Sequence, residues 1–197
     1  MDTRTNDQVI WNEFRKGNER AFSLLFFRYS DLLLSYGYAL AKDRELIKDC
    51  IQELFLDIWK RREQLGELEK VNHYLLKAFR RIVLRRVRQD EKRRYMYNPA
   101  DEFFDLPTEE QIILNEADNF LSEYMADKIN HLPQRQKEII YLKYYQNLSY
   151  DEIGEIMGLQ QQAAWNLFSR AVNRLREMIP NRRHILPTIF MAFIFAF

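Results

Sequence analysis

The sequence predicts an all-α fold made of two helical domains, and three observations lead there. The chain has only 5 Gly and 5 Pro in 197 residues, too few for a turn-rich sandwich or barrel. Apolar residues recur at three- and four-residue intervals, the period of amphipathic helices. Basic and acidic residues fall in separate blocks, with an acidic, proline-containing stretch between two basic bodies.

That stretch sets the domain boundaries. From Lys77 to Arg94 nine basic residues face only Asp90 and Glu91, a net +7 despite a whole-chain charge of +1. From Asn98 to Asp127 there are nine acids (Asp101, Glu102, Asp105, Glu109, Glu110, Glu116, Asp118, Glu123 and Asp127) and no Lys or Arg. The expected organisation is a helical domain over 1–97, an acidic linker over 98–120, a second helical domain over 121–180 and a hydrophobic tail over 181–197. The linker acids either keep the tether soluble or draw the two basic bodies together. Hydrophobic residues at 47% and aromatics at 14% exclude a disordered chain. One cysteine, Cys50, excludes an internal disulfide, and Met1–Asn12 has no signal-peptide pattern; both fit a cytoplasmic location.

In the first domain the apolar set begins with Val9, Ile10 and Phe14, and Gly17 separates this helix from the next. Ala21, Phe22, Leu25, Phe26, Tyr29, Leu32, Leu33 and Tyr36 continue the pattern. A third helix starts after Asp43, an N-cap residue, and buries Ile47, Ile51, Leu54, Phe55, Ile58 and Trp59, with Cys50 packed and inert. A polar loop, Leu65–Lys70, leads to a fourth helix from Val71 to about Arg94, with Leu75, Ala78, Phe79, Ile82 and Val83 facing inward. Four helices around one aromatic-rich core are expected.

The second domain carries a bihelical unit. Pro133 sits where a helix's first turn lacks N–H partners, and Ile139, Ile140, Leu142 and Tyr145 follow at helical intervals. Asn147-Leu148 breaks the run, and Ser149-Tyr150-Asp151-Glu152 reads as a capping box. Gly158 fits the left-handed turn, Gly154 a close approach, and a long helix from Gln161 to Met178 buries Ala164, Leu167, Phe168, Ala171 and Leu175. Such a unit is either a DNA-reading helix-turn-helix or an ordinary helical hairpin; the polar outward residues of the last helix favour the former. The sequence has no phosphate-cradling glycine loop, no metal-ligand cluster and no nucleophile beside a base, so no catalytic site, cofactor, metal or small-molecule substrate is expected. His73, His131 and His184 occur singly.

Two motifs carry a family resemblance. Leu132-Pro133-Gln134-Arg135-Gln136-Lys137-Glu138-Ile139-Ile140, then Leu148 to Gly158, then Ser169-Arg170-Ala171 and Leu175-Arg176 resemble the fourth conserved region of sigma-70 family factors, of the extracytoplasmic-function (group 4) type. Asp49 to Trp59 resembles the second conserved region, and the two lie in the family's order. The resemblance implies a transcription initiation factor that binds bacterial core RNA polymerase and promoter DNA, with an anti-sigma factor as a further partner. It implies that Asp49, Gln52, Glu53, Leu56 and Asp57 dock on the polymerase. An exposed leucine among carboxylates suits a polar-rimmed protein contact. It further implies melting of the −10 element at the loop and fourth helix. There His73 and Tyr74 are candidates to stack bases, and Lys70, Lys77, Arg80, Arg81 and Arg85 to neutralise phosphates.

On the last helix the −35 candidates are Gln161, Gln162, Trp165, Asn166, Arg170 and Arg174. The chain departs from the family in carrying Arg81 and Arg85 where many members have Asn and Asp. It also has Ala163-Ala164-Trp165-Asn166-Leu167 where members usually have Thr-Val-Lys-Ser-Arg. Trp165 either touches thymine methyls or folds back on the core. The tail Ile185–Phe197 packs on the second domain, lies against a partner, or rests on a membrane surface behind Arg182 and Arg183. An alternative to the whole reading is a stand-alone helix-turn-helix regulator.

Overall fold

Amphipathic spacing is realised as helices throughout the computed structural model, which describes residues 3–97 and 127–179. The predicted linker (98–120) and tail (181–197) fall outside the described residues, as do 121–126 of the predicted second domain, whose described part opens with helix at 127–130. No strand occurs among the described residues, and none of their helices is long and apolar enough to cross a membrane.

The first domain is formed by α1 (Thr3–Arg15), α2 (Glu19–Leu40), α3 (Arg44–Arg61) and α4 (Val71–Tyr97), with a 3-10 turn at Arg62–Gln64. Asn18 caps α2 by accepting from the N–H groups of Arg20 and Ala21, and Asp43 caps α3 in the same way through Glu45 and Leu46. The core is an aromatic chain. Trp11 meets Phe14 at 5.1 Å, Phe22 meets Trp59 at 4.9 Å, and Phe26 meets Phe55 edge-on at 4.9 Å between ring centroids. Pairs of this kind contribute about 0.5–1.5 kcal/mol each beyond burial.

The structure corrects the predicted inward face of α1. Val9 is 58% exposed, whereas Trp11 is fully buried and donates its indole N–H to the Gly66 carbonyl at 3.0 Å. Trp59, expected in the core, is only partly buried and lies under the Arg62 guanidinium at 4.8 Å.

The second domain comprises α5 (Gln134–Ile140), a π-helical turn at Tyr141–Tyr145, α6 (Tyr150–Met157) and α7 (Gln161–Met178). Pro133 takes the N-cap position, one residue before the expected first helical turn. The five-residue-wide turn ends the helix before Asn147, whose φ of 48° completes the break. Both hydrogen bonds of the capping box form: Ser149 N–H donates to Glu152 Oε2 at 2.8 Å, and Glu152 N–H donates to Ser149 Oγ at 3.3 Å. Gly158 adopts φ 67°, ψ 44°, the left-handed cap that favours glycine. A Cβ on Gly154 would lie 2.6 Å from the Leu159 carbonyl oxygen, so the close approach is to the turn itself. The predicted inward set of α7 is buried in full.

The two domains touch. α2 packs on α5 and α4 packs on α6.

Candidate nucleic-acid interface

The basic helix α4 owes its placement to the apolar residues Leu75, Leu76, Phe79, Ile82 and Val83, all buried. Their burial turns Lys77, Arg81, Arg85 and Arg88 outward. With Arg61, Arg80, Tyr74 and, across the gap, Glu155 and Ile156 of α6, these cations line a groove of 860 Å³. Its lining holds six cations and one carboxylate. Arg61, Arg80 and Arg85 are each paired with a carboxylate outside the lining, so its positive field, of the kind that holds a phosphate backbone, comes chiefly from Lys77, Arg81 and Arg88.

The cations differ in what they already hold. Lys77 and Arg81 have no ion-pair partner among the described residues. Arg85 and Arg86 both reach Glu53 on α3. Lys70 pairs with Glu152 of α6, and His73 Nε2 lies 3.8 Å from the same carboxylate. Arg80 donates Nε and Nη2 to Glu138 of α5 at 2.6 and 3.3 Å. Tyr74 is partly buried and meets Trp11 edge-on at 5.4 Å, so its ring already has one aromatic neighbour.

Sequence reasoning overlooked what holds the Leu65–Lys70 loop. Three side chains of α1 pin it: Gln8 donates to the Glu69 carbonyl at 3.2 Å, Trp11 to Gly66, and Arg15 Nε to the Leu65 carbonyl at 2.6 Å. Only the amphipathic phase of α1 could have signalled this, and that phase is ambiguous between Val9 and Trp11.

On α3 the face opposite the core presents Asp49, Gln52 and Leu56 to solvent, with Leu56 57% exposed. Glu53 and Asp57 are half-buried; Asp57 pairs with Arg61 one turn on. Cys50 is buried on the inner side, and burial followed by the nearby Glu53 charge pushes its thiol up to about 11.

The second face lies on α7. Gln161, Gln162, Trp165, Asn166, Arg170 and Arg174 are all exposed, as the burial of Ala164, Leu167, Phe168, Ala171 and Leu175 requires. Trp165 is 48% exposed, which decides between its two expected positions in favour of the surface. Gln162 donates to Asn166 Oδ1 at 3.4 Å, and Arg170 donates to the Asn166 carbonyl at 3.3 Å. A little over two turns of the helix therefore present amide, indole and guanidinium groups together, a set that suits base edges and phosphates. Among the described residues no cluster of His, Cys, Asp and Glu could hold a metal ion.

Fold and faces together define a two-domain helical DNA-binding protein whose second domain is a helix-turn-helix. The chain belongs to the sigma-70 family, and within it to the extracytoplasmic-function type. The sigma-70 region 2 profile matches residues 25–94 and the sigma-70 region 4 profile residues 122–175. The chain is 27% identical to the ECF RNA polymerase sigma-E factor of Haemophilus influenzae over 92% of this chain and 97% of that one. It is 23% identical to the ECF RNA polymerase sigma factor SigW of Bacillus subtilis over 85% and 93%.

Among solved structures, CnrH in complex with the cytosolic domain of CnrY aligns with TM-score 0.60 and 17% identity over 87% of this chain and 96% of that one. RpoE with the anti-sigma factor NepR from Bartonella quintana aligns with TM-score 0.63 and 18% identity over 79% and 94%. As a member of this family the protein is a promoter-directing transcription initiation factor. The stand-alone regulator is not favoured, because such a protein has no use for a region 2 domain.

Proposed function

We propose that the three exposed faces divide the work of initiation. The α3 face of Asp49, Gln52, Glu53, Leu56 and Asp57 docks on core RNA polymerase. The groove along α4 takes the −10 strand, with Lys77 and Arg81 first on its phosphates and Lys70, Arg80 and Arg85 joining when their present carboxylates are displaced. His73 and Tyr74 border the pinned loop where an unstacked base would be received. The α7 face reads the −35 element, with Gln161, Gln162 and Asn166 at base edges, Trp165 against an apolar group, and Arg170 and Arg174 on phosphate or guanine.

This reading gives residues 1–97 the polymerase and −10 roles and residues 121–180 the −35 role. The protein works in the cytoplasm, without catalysis or a cofactor of its own. An anti-sigma factor is a fitting partner, since the similar RpoE of Bartonella quintana was solved with the anti-sigma factor NepR bound.

The observation that carries the docking assignment is Leu56, 57% exposed among polar residues on a helix whose other side is fully packed. Surface leucine in that setting contributes nothing to folding and suits the centre of a protein contact. Leu56→Glu should abolish co-purification with core polymerase while the helical signal and melting midpoint stay at wild-type values. Unchanged core affinity would overturn the assignment.

A further inference from the structure

Glu138 is the one charged side chain in the buried core of the described residues, with 1% of its surface exposed. A carboxylate taken out of water is costly unless paired and hydrogen-bonded. The partners it has come from the other domain. Arg80 of α4 grips it with two donors, and Tyr36 of α2 donates its hydroxyl to Oε1 at 2.7 Å. The pairing resembles the fork by which arginine holds a phosphate, two parallel N–H groups on two oxygens. Burial alone would lower the Arg80 pKa, but the hydrogen bond and charge of Glu138 outweigh it and raise it.

A second, more exposed cross-domain pairing lies two to three turns away, at the start of α4. Glu152 holds Lys70 and lies within 3.8 Å of His73. Apolar packing accompanies the contact: Ile156 of α6 is 4% exposed, and Tyr36 stacks on Tyr141 at 5.5 Å and 18°.

We propose that the helix-turn-helix domain masks the −10 face of its own chain, with Glu138 and Glu152 occupying on Arg80, Lys70 and His73 the places of DNA phosphates. The inference rests on the reading of α4 as the −10 face. Single-stranded DNA and the second domain then compete for the same cations, and the face becomes complete only when the domains part. The energetics suit a reversible latch. A buried ion pair stabilises little relative to its solvated partners, because desolvation offsets most of the attraction. Parting the domains returns both ions to water together, whereas losing only one of them strands the other.

The test uses the full chain with Glu138→Gln and Glu152→Gln. Glutamine still accepts from Tyr36 and still closes the capping box, so the charge is removed without the local structure. Binding of the free protein to a fluorescent single-stranded oligonucleotide is measured across a salt series, with the radius of gyration from small-angle scattering. Glu19→Gln with Glu45→Gln removes two exposed charges elsewhere and controls for net charge.

The proposal expects a larger radius, about tenfold tighter DNA binding than the control, and a log–log salt slope steeper by about 1.4, as two phosphate contacts are gained on a single strand. An unchanged radius overturns it, and so does DNA affinity equal to the control. If the double variant fails to fold, Tyr36→Phe takes its place, keeping the ring in its stack and removing one bond of the latch, with the same directions expected. Run-off transcription by the wild type with core polymerase is recorded alongside. Activity there, with a latch variant that neither opens nor gains affinity, overturns the latch alone; inactivity overturns the functional reading, while scattering still reports on closure.

Discussion

At the scale of single residues, burial and local charge decide which side chains can react. Cys50 has no exposed surface and a thiol pushed up to about 11, so at neutral pH it is a packed apolar group and not a nucleophile. A thiol-reactive dye should leave the native protein unlabelled at about pH 7 over the time in which urea-unfolded protein reacts completely; rapid native labelling would contradict this. Glu152 is pulled the other way. Burial would raise its pKa, but the Lys70 ammonium and the Ser149 N–H and hydroxyl outweigh it and bring it down to about 2, with His73 also nearby. A folded-state pKa below the unfolded one means the carboxylate stabilises the fold at pH above about 4.5, and that this contribution disappears as pH falls toward about 2. Urea midpoints of wild type and Glu152→Gln should therefore converge over that interval. Parallel curves would show that the carboxylate contributes nothing there.

At the scale of elements, caps and close approaches set the helix-turn-helix. Ser149→Ala removes the acceptor for the Glu152 N–H and should cost about 1 kcal/mol by chemical denaturation. Gly154→Ala should cost more, because its methyl would meet the Leu159 carbonyl at 2.6 Å and the turn would have to move. The two DNA faces should respond differently. Lys77→Ala with Arg81→Ala should weaken binding to all sequences and flatten the salt slope, by about 1.4 on single-stranded DNA. Gln162→Ala or Asn166→Ala should instead change which upstream element is preferred, read by selection from a randomised duplex pool. A uniform loss in both cases would show that α7 does not read bases.

Much of this architecture was legible in the sequence, because helix caps and apolar phase are local signals. Asp43, Ser149, Glu152 and Gly158 each lie within a few residues of the groups they satisfy, and the inward set of α7 follows from one period. The phase of α1 was not legible. Val9 and Trp11 are both apolar, and only contacts with a loop 55 residues away show which is buried. The role of Glu138 was hidden for the same reason: Arg80 and Tyr36 lie 58 and 102 residues away in the chain.

At the scale of the whole molecule, the proposed division of labour has one chain hold a protein-docking face and two DNA faces without binding DNA indiscriminately. The net charge of +1 conceals the +7 helix that makes such binding a hazard, and internal carboxylates answer it. The central claim is that this chain gives core polymerase its promoter choice. The most direct measurement is transcription in vitro by bacterial core polymerase with the purified protein on fragmented genomic DNA, with RNA 5′ ends mapped by sequencing. The account predicts initiation at a small set of sites sharing a −35 and a −10 element, absent with core enzyme alone and absent with Leu56→Glu. Start sites no different from those of core enzyme alone would contradict it.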